Sequence, residues 1–256
     1  MNEEFLNRLL KSISVSGYEE PVQEVVKEEM KACADTIRED EMHNLVCVMN
    51  PEHPARIMLS AHADEIGLMI SNITDEGTLQ VIDRGGIVTH TYPGQQVIVH
   101  SKKGDVYGVV EAYRDLLKKS DLSTKDFVID IGARDREDAL KYVDLGDPIV
   151  LDTHIRKLAN GRISARALDD RIGVYIIMEA FKRAKERGCQ AGVYAASTTG
   201  EETTKTGAYW CSTRIRPTLA IVVDVTYTSD CIGINPAEMG TVELGKGPVL
   251  CNSPIV

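Results

Sequence analysis

The sequence has a shortage of positive charge and contains no long apolar run. Its 29 Lys and Arg residues are outnumbered by 39 Asp and Glu residues, which gives a net charge of −10 and leaves no basic stripe for binding nucleic acid. No apolar run approaches the roughly 18 residues that a membrane-spanning helix needs. We therefore expect a soluble protein without nucleic-acid or membrane partners.

Paired cysteines and a signal peptide are also missing. The six cysteines, at positions 33, 47, 189, 211, 231 and 251, include no C-x-x-C pair, which indicates free thiols in a reducing compartment. The first residues, "MNEEFLNRLLKS", begin with two glutamates and contain no continuous apolar core, unlike a signal peptide. Together these absences predict a cytoplasmic protein.

An α/β pattern is present, and a β-rich stretch interrupts it. Residues 1–66 have the periodicity of two amphipathic helices followed by the strands "IREDEMHNLVCVMN" and "RIMLSAHADEIGLMI". In residues 67–163, short β-branched runs alternate with Gly-, Asp-Pro- and Lys-rich turns. Residues 164–256 return to α/β, with the long helix "DDRIGVYIIMEAFKRAKERG", the short helix "TKTGAYWCSTRI" and the buried strands "QAGVYAASTTGEE" and "TLAIVVDVT". We predict one α/β domain built from the first and last segments, with a β-rich domain inserted between them.

Three apolar strands run into polar residues at their carboxyl ends. The first ends in His62 and Asp64, the second in Glu201 and Glu202, and the third in Asp224. Ligands of open α/β sheets sit at the carboxyl ends of the strands, so we expect these side chains to face one crevice. The long helix begins at a similar rim with two adjacent aspartates.

The chemistry of these residues favours a cation site. One aspartate is enough to cap a helix, so one of Asp169 and Asp170 has no obvious structural role. Glu201 and Glu202 would repel each other near a buried sheet end unless a cation or a proton relieved them. One of them could bind a metal while the other remains free as a base. Asp224 follows "AIVV" and would be costly in apolar surroundings unless it were paired or bound to metal.

Each of these features also has an ordinary structural explanation. A lone His62 is more often a structural histidine than a ligand, an Asp pair can be a helix cap, and a Glu pair can be a solvated helix start. However, His62 and Asp64 are two apart on a strand and so share a face, as in a metal-bound imidazole oriented by a carboxylate. Because all of these groups occur together at strand and helix ends, a cation site is the better explanation.

Four motifs extend this argument to a family. "SAHADEIGLM", "ISARALDDRIGVY", "TTGEETTKTGA" and "AIVVDVT" occur in this order, with the β-rich stretch after the first. They resemble the M42 family of metallo-aminopeptidases, the glutamyl-aminopeptidase-like enzymes that include the tetrahedral (TET) peptidases. The resemblance covers essentially the whole chain and implies a zinc-peptidase-like, three-layer α/β catalytic domain with an inserted β-rich domain. It also implies self-association through that insertion, into dimers or dodecamers.

The resemblance assigns a role to each candidate residue. It implies two divalent metal ions, zinc or cobalt, with these protein ligands: His62 and Asp224 on the first metal, Glu202 on the second, and Asp169 between the two. Glu201 would be the general base and acid, Asp64 would orient His62, and Asp170 would hold the turn that aims Asp169. The implied reaction is the hydrolysis of N-terminal residues from peptides by metal-activated water.

The sequence departs from the family pattern in three places. The family's "Q-E-E-V-G" is "G-E-E-T-T" here, which places Gly200 and Thr203 beside the glutamates, and His43 stands where relatives often have Gly. Relatives continue beyond "LGKGPVLCNSPIV" into a segment that brings a last histidine ligand for the second metal. None of the histidines at 43, 53, 62, 90, 100 and 154 takes that place. We therefore expect a C-terminally truncated chain with an incomplete second metal site.

Two alternative functions follow from these observations. The chain is a catalytically impaired fragment or assembly subunit if the second metal cannot be held. It is a glycoside hydrolase if the endoglucanase names given to some family members apply. The second alternative is the weaker one, because a glycan cleft needs two flanking carboxylates and stacking aromatics, and the chain has one Trp and three Phe.

Overall fold

The structure, a computed structural model, describes residues 2–251 of the chain. Its strands are, in chain order, β1 (Thr36–Glu39), β2 (Leu45–Met49), β3 (Arg56–His62), β4 (Gly67–Ile73), β5 (Leu79–Arg84), β6 (Gln96–Ser101), β7 (Gly104–Val110), β8 (Ile129–Asp130), β9 (Pro148–Leu151), β10 (Arg156–Lys157), β11 (Ile163–Ser164), β12 (Gly192–Thr198) and β13 (Leu219–Val222). Its α-helices are α1 (Glu3–Lys11), α2 (Glu20–Met30), α3 (Arg114–Leu117), α4 (Arg136–Ala139), α5 (Leu168–Glu186), α6 (Thr206–Ile215) and α7 (Pro236–Met239). Short 3-10 turns lie at Thr89–Thr91, Thr124–Asp126 and Ala159–Gly161.

A five-stranded mixed sheet, in the order β1-β2-β12-β3-β13, forms the centre of the α/β part. The strands β12, β3 and β13 run parallel, while β1 and β2 are antiparallel to their neighbours. Thr198 at the end of β12 is paired with His62 at the end of β3. The carboxyl ends of these parallel strands therefore meet at one edge of the sheet, as the sequence predicts.

Helices cover both faces of this sheet. Alternate residues of one strand point to opposite faces, so Val193 packs with α1, α2 and α5, whereas Tyr194 packs against α6. The helical side of the first face contributes apolar side chains such as Phe5, Val26 and Phe181, all fully buried. Two apolar cores on either side of one sheet make the three-layer α/β arrangement.

A closed barrel with the strand order β4-β5-β8-β7-β6-β9 follows β3 in the chain. Its apolar interior includes Leu68, Leu79, Val97, Phe127 and Ile149, each no more than 1% exposed. All the barrel strands fall within residues 67–163. That this segment is a separate inserted domain stays a prediction, because the sheet and the barrel belong to one compact unit, Met1–Asp224.

Three local predictions were wrong. The segment "RIMLSAHADEIGLMI" was predicted as one strand, but β3 ends at His62 and β4 begins at Gly67 in the barrel. The segment "IREDEMHNLVCVMN" was predicted as one strand but forms the antiparallel pair β1 and β2, because the carboxylate of Asp40 accepts hydrogen bonds from the backbone N–H groups of Met42 and Asn44 and closes a turn. The strand β13 was predicted to be buried, but Leu219 and Val222 are 54% and 62% exposed. It pairs with β3 and is last in the sheet order, which leaves it less covered.

The residues from Val225 onward form a second, smaller unit. Within it, α7 is the one helix among the described residues, and Ser229 and Val242 exchange hydrogen bonds. The predicted domain limits at residues 1 and 256 lie outside the described part. Among the residues described, no helix is long and apolar enough to cross a membrane.

Candidate active site

The predicted site residues converge on His62, which is 4% exposed at the end of β3. Its Nε2 atom lies 2.9 Å from Asp169 Oδ1, 3.9 Å from Glu201 Oε2 and 4.0 Å from Asp224 Oδ1. These carboxylates come from the start of α5, the loop after β12 and the end of β13. The sheet thus brings together side chains that are up to 162 positions apart in the sequence.

Asp64 links the imidazole to the Glu pair. His62 Nδ1 lies 3.2 Å from the main-chain oxygen of Asp64 and 3.4 Å from its Oδ1 atom. The same carboxylate accepts hydrogen bonds from the backbone N–H groups of Glu201 and Glu202, both at 3.1 Å. Burial alone would raise the pKa of Asp64, but the hydrogen bonds from His62, Ser16 and the Glu202 N–H lower it. The sequence predicts the contact with His62 and misses the link to the glutamate loop.

The two adjacent aspartates have different surroundings. Both lie within the limits of α5 but have non-helical backbone angles, so the regular helix begins after them. Asp170 is fully buried, and its Oδ1 atom accepts the backbone N–H of Gly173 at 3.1 Å, which caps this regular part of the helix. Asp169 has a side chain that is 59% exposed and contacts His62. One aspartate therefore caps the helix, and the other reaches the histidine. Asp170 Oδ2 is buried without a hydrogen-bond partner among the described residues.

The electrostatics of the cluster fit a divalent cation. Burial raises the pKa of Asp170 to about 8, with His62 opposing and Asp224 adding to the rise. Burial and the charge of Asp169 raise the pKa of Glu202 to about 7. For His62, burial lowers the pKa, but hydrogen bonds with Asp169 and the neighbouring carboxylate raise it to about 11. A bound cation would relieve this crowding of negative charge.

Among residues 2–251, two groups of ligand atoms are compact enough to hold a metal, one made of His62, Glu201 and Glu202 and the other of His62, Asp170 and Asp224. Within each group the ligand atoms lie within 4.8 Å of one another. This grouping differs from the resemblance-based assignment in two ways: it contains Asp170 and not Asp169, and it contains Glu201, the expected base, together with Glu202. The assigned roles of the individual residues therefore stay predictions.

A buried ion pair connects the motifs "SAHADEIGLM" and "ISARALDDRIGVY", and it was not predicted from the sequence. Arg171, fully buried, donates to Glu65 Oε1 at 2.8 Å, to the Ala63 carbonyl at 3.2 Å and to the Leu9 carbonyl at 2.9 Å. Glu65 belongs to A-H-x-D-E-I-G, and Arg171 belongs to A-L-D-D-R. The sequence could have indicated this pair, because Glu65 and Arg171 each lie beside an apolar run within a motif that carries candidate metal ligands.

Gly173 provides a test of the Asp170 position. A Cβ atom at Gly173 would collide with both carboxylate oxygens of Asp170. Gly173→Ala is therefore expected to displace this carboxylate and weaken metal binding, at a cost of about 1–3 kcal/mol for an overpacked site. Competition with a chelator would measure the metal affinity, and thermal unfolding would measure the loss of stability. Ile176→Ala, at an exposed position of the same helix, is the control, and unchanged metal affinity in Gly173→Ala would contradict a role for Asp170 in the site.

The chain is similar to proteins of one family. The model of the family described as M42 glutamyl aminopeptidase matches residues 43–254. The lysyl aminopeptidase of Pyrococcus furiosus is 30% identical, over 98% of this chain and 73% of that protein. A TET aminopeptidase from the marine sediment archaeon Thaumarchaeota archaeon SCGC AB-539-E09 has a similar structure, with a TM-score of 0.88, 33% identity, and coverage of 96% of this chain and 70% of that one. The Pyrococcus horikoshii TET1 peptidase, which can assemble into a tetrahedron or a large octahedral shell, gives a TM-score of 0.80 and 34% identity, over 90% of this chain and 72% of that one.

These matches confirm both the family resemblance and the α/β fold class predicted from the sequence. They extend over nearly the whole chain, including the strand ends that bear the candidate ligands. The chain belongs to the M42 glutamyl aminopeptidase family and is a metal-dependent hydrolase of the aminopeptidase class.

Proposed function

We propose that this chain removes N-terminal residues from peptides with the help of two divalent metal ions, with Glu201 as general base and acid. The observation that carries the proposal is His62, buried at a strand end within 4.0 Å of carboxylates from three other segments. A buried imidazole among carboxylates is a donor set for zinc or cobalt.

The metal ligands proposed are His62, Asp169 and Asp224 for the first ion, and Asp169 and Glu202 for the second. When bound, the metals would polarise the scissile carbonyl and make the attacking water more acidic. Glu201, with a side chain 30% exposed, is open to the crevice. Its carboxylate would accept a proton from that water and deliver it to the leaving amine as the C–N bond breaks.

The acidic crevice also suits the substrate's free N-terminus. An α-amino group has a pKa of about 7.7–8.0 and is largely cationic at neutral pH, so the surrounding carboxylates would attract it. Self-association, which the TET1 assembly supports, belongs to the same proposal, as do the barrel as the associating surface and a cytoplasmic location. Peptides are the proposed substrates.

A catalytically impaired subunit is the second candidate. His62 is the one histidine in the metal-competent groups found among residues 2–251. A second metal would thus depend on carboxylates alone within this part of the chain. Carboxylate-only sites hold zinc less firmly than sites with imidazole ligands, which is the reason for keeping this alternative.

Metal content per chain, measured after loading with zinc or cobalt and dialysis, tests the proposal. We expect two ions per chain and release of an amino acid from a peptide. Asp169→Ala should lose metal at both positions, and full occupancy in that variant would contradict the bridging role. One ion or none, without peptide hydrolysis, would favour the impaired subunit, and reducing sugar released from a glucan would favour glycoside hydrolysis.

A further inference from the structure

The loop that bears Glu201 is held by buried side chains from three separate segments. The backbone N–H of Thr199 donates to Asn44 Oδ1 at 2.9 Å, and that of Gly200 donates to Glu19 Oε1 at 3.0 Å. The next two N–H groups, of Glu201 and Glu202, donate to the carboxylate of Asp64. Four consecutive backbone donors are therefore satisfied by side-chain oxygens and not by neighbouring backbone.

Glu19 is the least expected of these partners. It lies at the start of α2, is 6% exposed, and caps no N–H of its own helix. Its Oε1 atom instead accepts both the N–H of Gly17, at 2.8 Å, and the N–H of Gly200, at 3.0 Å. One carboxylate oxygen thereby joins the turn at residues 16–18 to the residue before the proposed general base. Burial raises the pKa of Glu19, so this location has an electrostatic cost that its two hydrogen bonds offset only in part.

A second contact joins the same two segments. Ser16 Oγ lies 2.8 Å from Thr203 Oγ1, just after the Glu pair. The turn at residues 16–18 thus contacts the glutamate loop on both sides of Glu201 and Glu202. Removing Glu19 would leave the Gly200 N–H unsatisfied and release the loop on the side of Glu201 only.

We propose that Glu19 is a positioning residue that fixes the orientation of Glu201 through the backbone of Gly200. The inference rests on the proposed function, in which Glu201 accepts the proton of the attacking water. Glu19 touches neither substrate nor metal in this scheme, and it sets kcat by limiting the positions that the Glu201 carboxylate can adopt. Misplacement of a catalytic group by about 1 Å can cost about 10²-fold in rate.

The test compares Glu19→Ala with Glu19→Gln in the zinc-loaded chain, using a peptide aryl amide as substrate. Glu19→Ala is expected to lower kcat by about 10- to 100-fold while KM changes by less than about threefold. Glu19→Gln keeps an amide oxygen that can accept the Gly200 N–H, and it is expected to recover most of kcat. Glu20→Ala, at the exposed neighbouring position, is the matched control and should behave like wild type.

A cobalt-loaded sample separates this inference from the proposed function. The visible absorption of bound cobalt(II) is expected to change in Glu19→Ala and to return in Glu19→Gln, because Glu201 lies in one compact group of ligand atoms with His62 and Glu202. If wild type is inactive on peptides, the proposed function fails, while this spectral change would still support the positioning role. Wild-type kcat and an unchanged spectrum in Glu19→Ala would overturn it, as would a loss of kcat fully explained by a lower folded fraction in circular dichroism.

Discussion

Replacing Glu201 by Gln is expected to lower kcat by about 10²–10⁴-fold while metal content remains near that of wild type. The amide is isosteric with the carboxylate but cannot accept the proton of the attacking water. In the native chain, Glu201 Oε1 lies 3.1 Å from Lys205 Nζ, and Glu201 Oε2 lies 3.9 Å from His62 Nε2. Lys205 is 78% exposed, so the loss of this ion pair should change stability by less than about 1 kcal/mol.

The measurement pairs steady-state kinetics with elemental analysis of the same sample. Glu202→Gln is the matched comparison, because it changes the neighbouring carboxylate in the same way and is expected to lose metal as well as activity. Activity unchanged in Glu201→Gln would show that Glu201 is not the base. Metal lost equally from both variants would assign Glu201 to the ligand group that it forms with His62 and Glu202.

The sequence predicts the site because its information is local. His62 ends β3 and Asp64 lies two residues later, one acidic pair lies in the loop after β12, and the other lies at the start of α5. Short patterns therefore place all of them at one sheet edge. The different roles of Asp169 and Asp170 also depend on nearby residues, because Asp170 accepts the N–H of Gly173, three residues later. Such features need no knowledge of what packs against them.

The features that the sequence did not predict depend on distant contacts. Glu19 and Gly200 are 181 positions apart, and no periodicity in either segment indicates that a helix-start carboxylate meets that particular N–H group. The exposure of β13 likewise depends on the strand order, which places Leu219 at the end of the sheet. The turn between β1 and β2 is different, because it is a local feature that the alternation of residues did not indicate: His43 has a φ of 61°, which is uncommon for a residue other than glycine and breaks the predicted strand.

Replacing Arg171 by Met is expected to destabilise the fold by about 3–5 kcal/mol, the usual effect of removing one partner of a buried ion pair. The guanidinium is inaccessible to solvent, and Glu65 is 3% exposed. Methionine would fill part of the space but would leave the carbonyl oxygens of Leu9 and Ala63 without the guanidinium donor. Unsatisfied buried acceptors add to the cost of the lost charge. For a protein of this size the change corresponds to a fall in Tm of roughly 6–20 °C.

Arg166→Met is the matched control for this prediction. Arg166 also pairs with Glu65, but its side chain is 13% exposed and its other partners are the carbonyls of Lys11 and Ser12, so a smaller loss is expected. Denaturant unfolding of the metal-free chains measures both variants without a contribution from bound metal. A change of less than about 1 kcal/mol in Arg171→Met would contradict a structural role for the ion pair between the two motifs. A large change would mean that the segments bearing His62 and Asp169 are held together before any metal binds, because Arg171 joins the carbonyl beside His62 to the helix that follows Asp169.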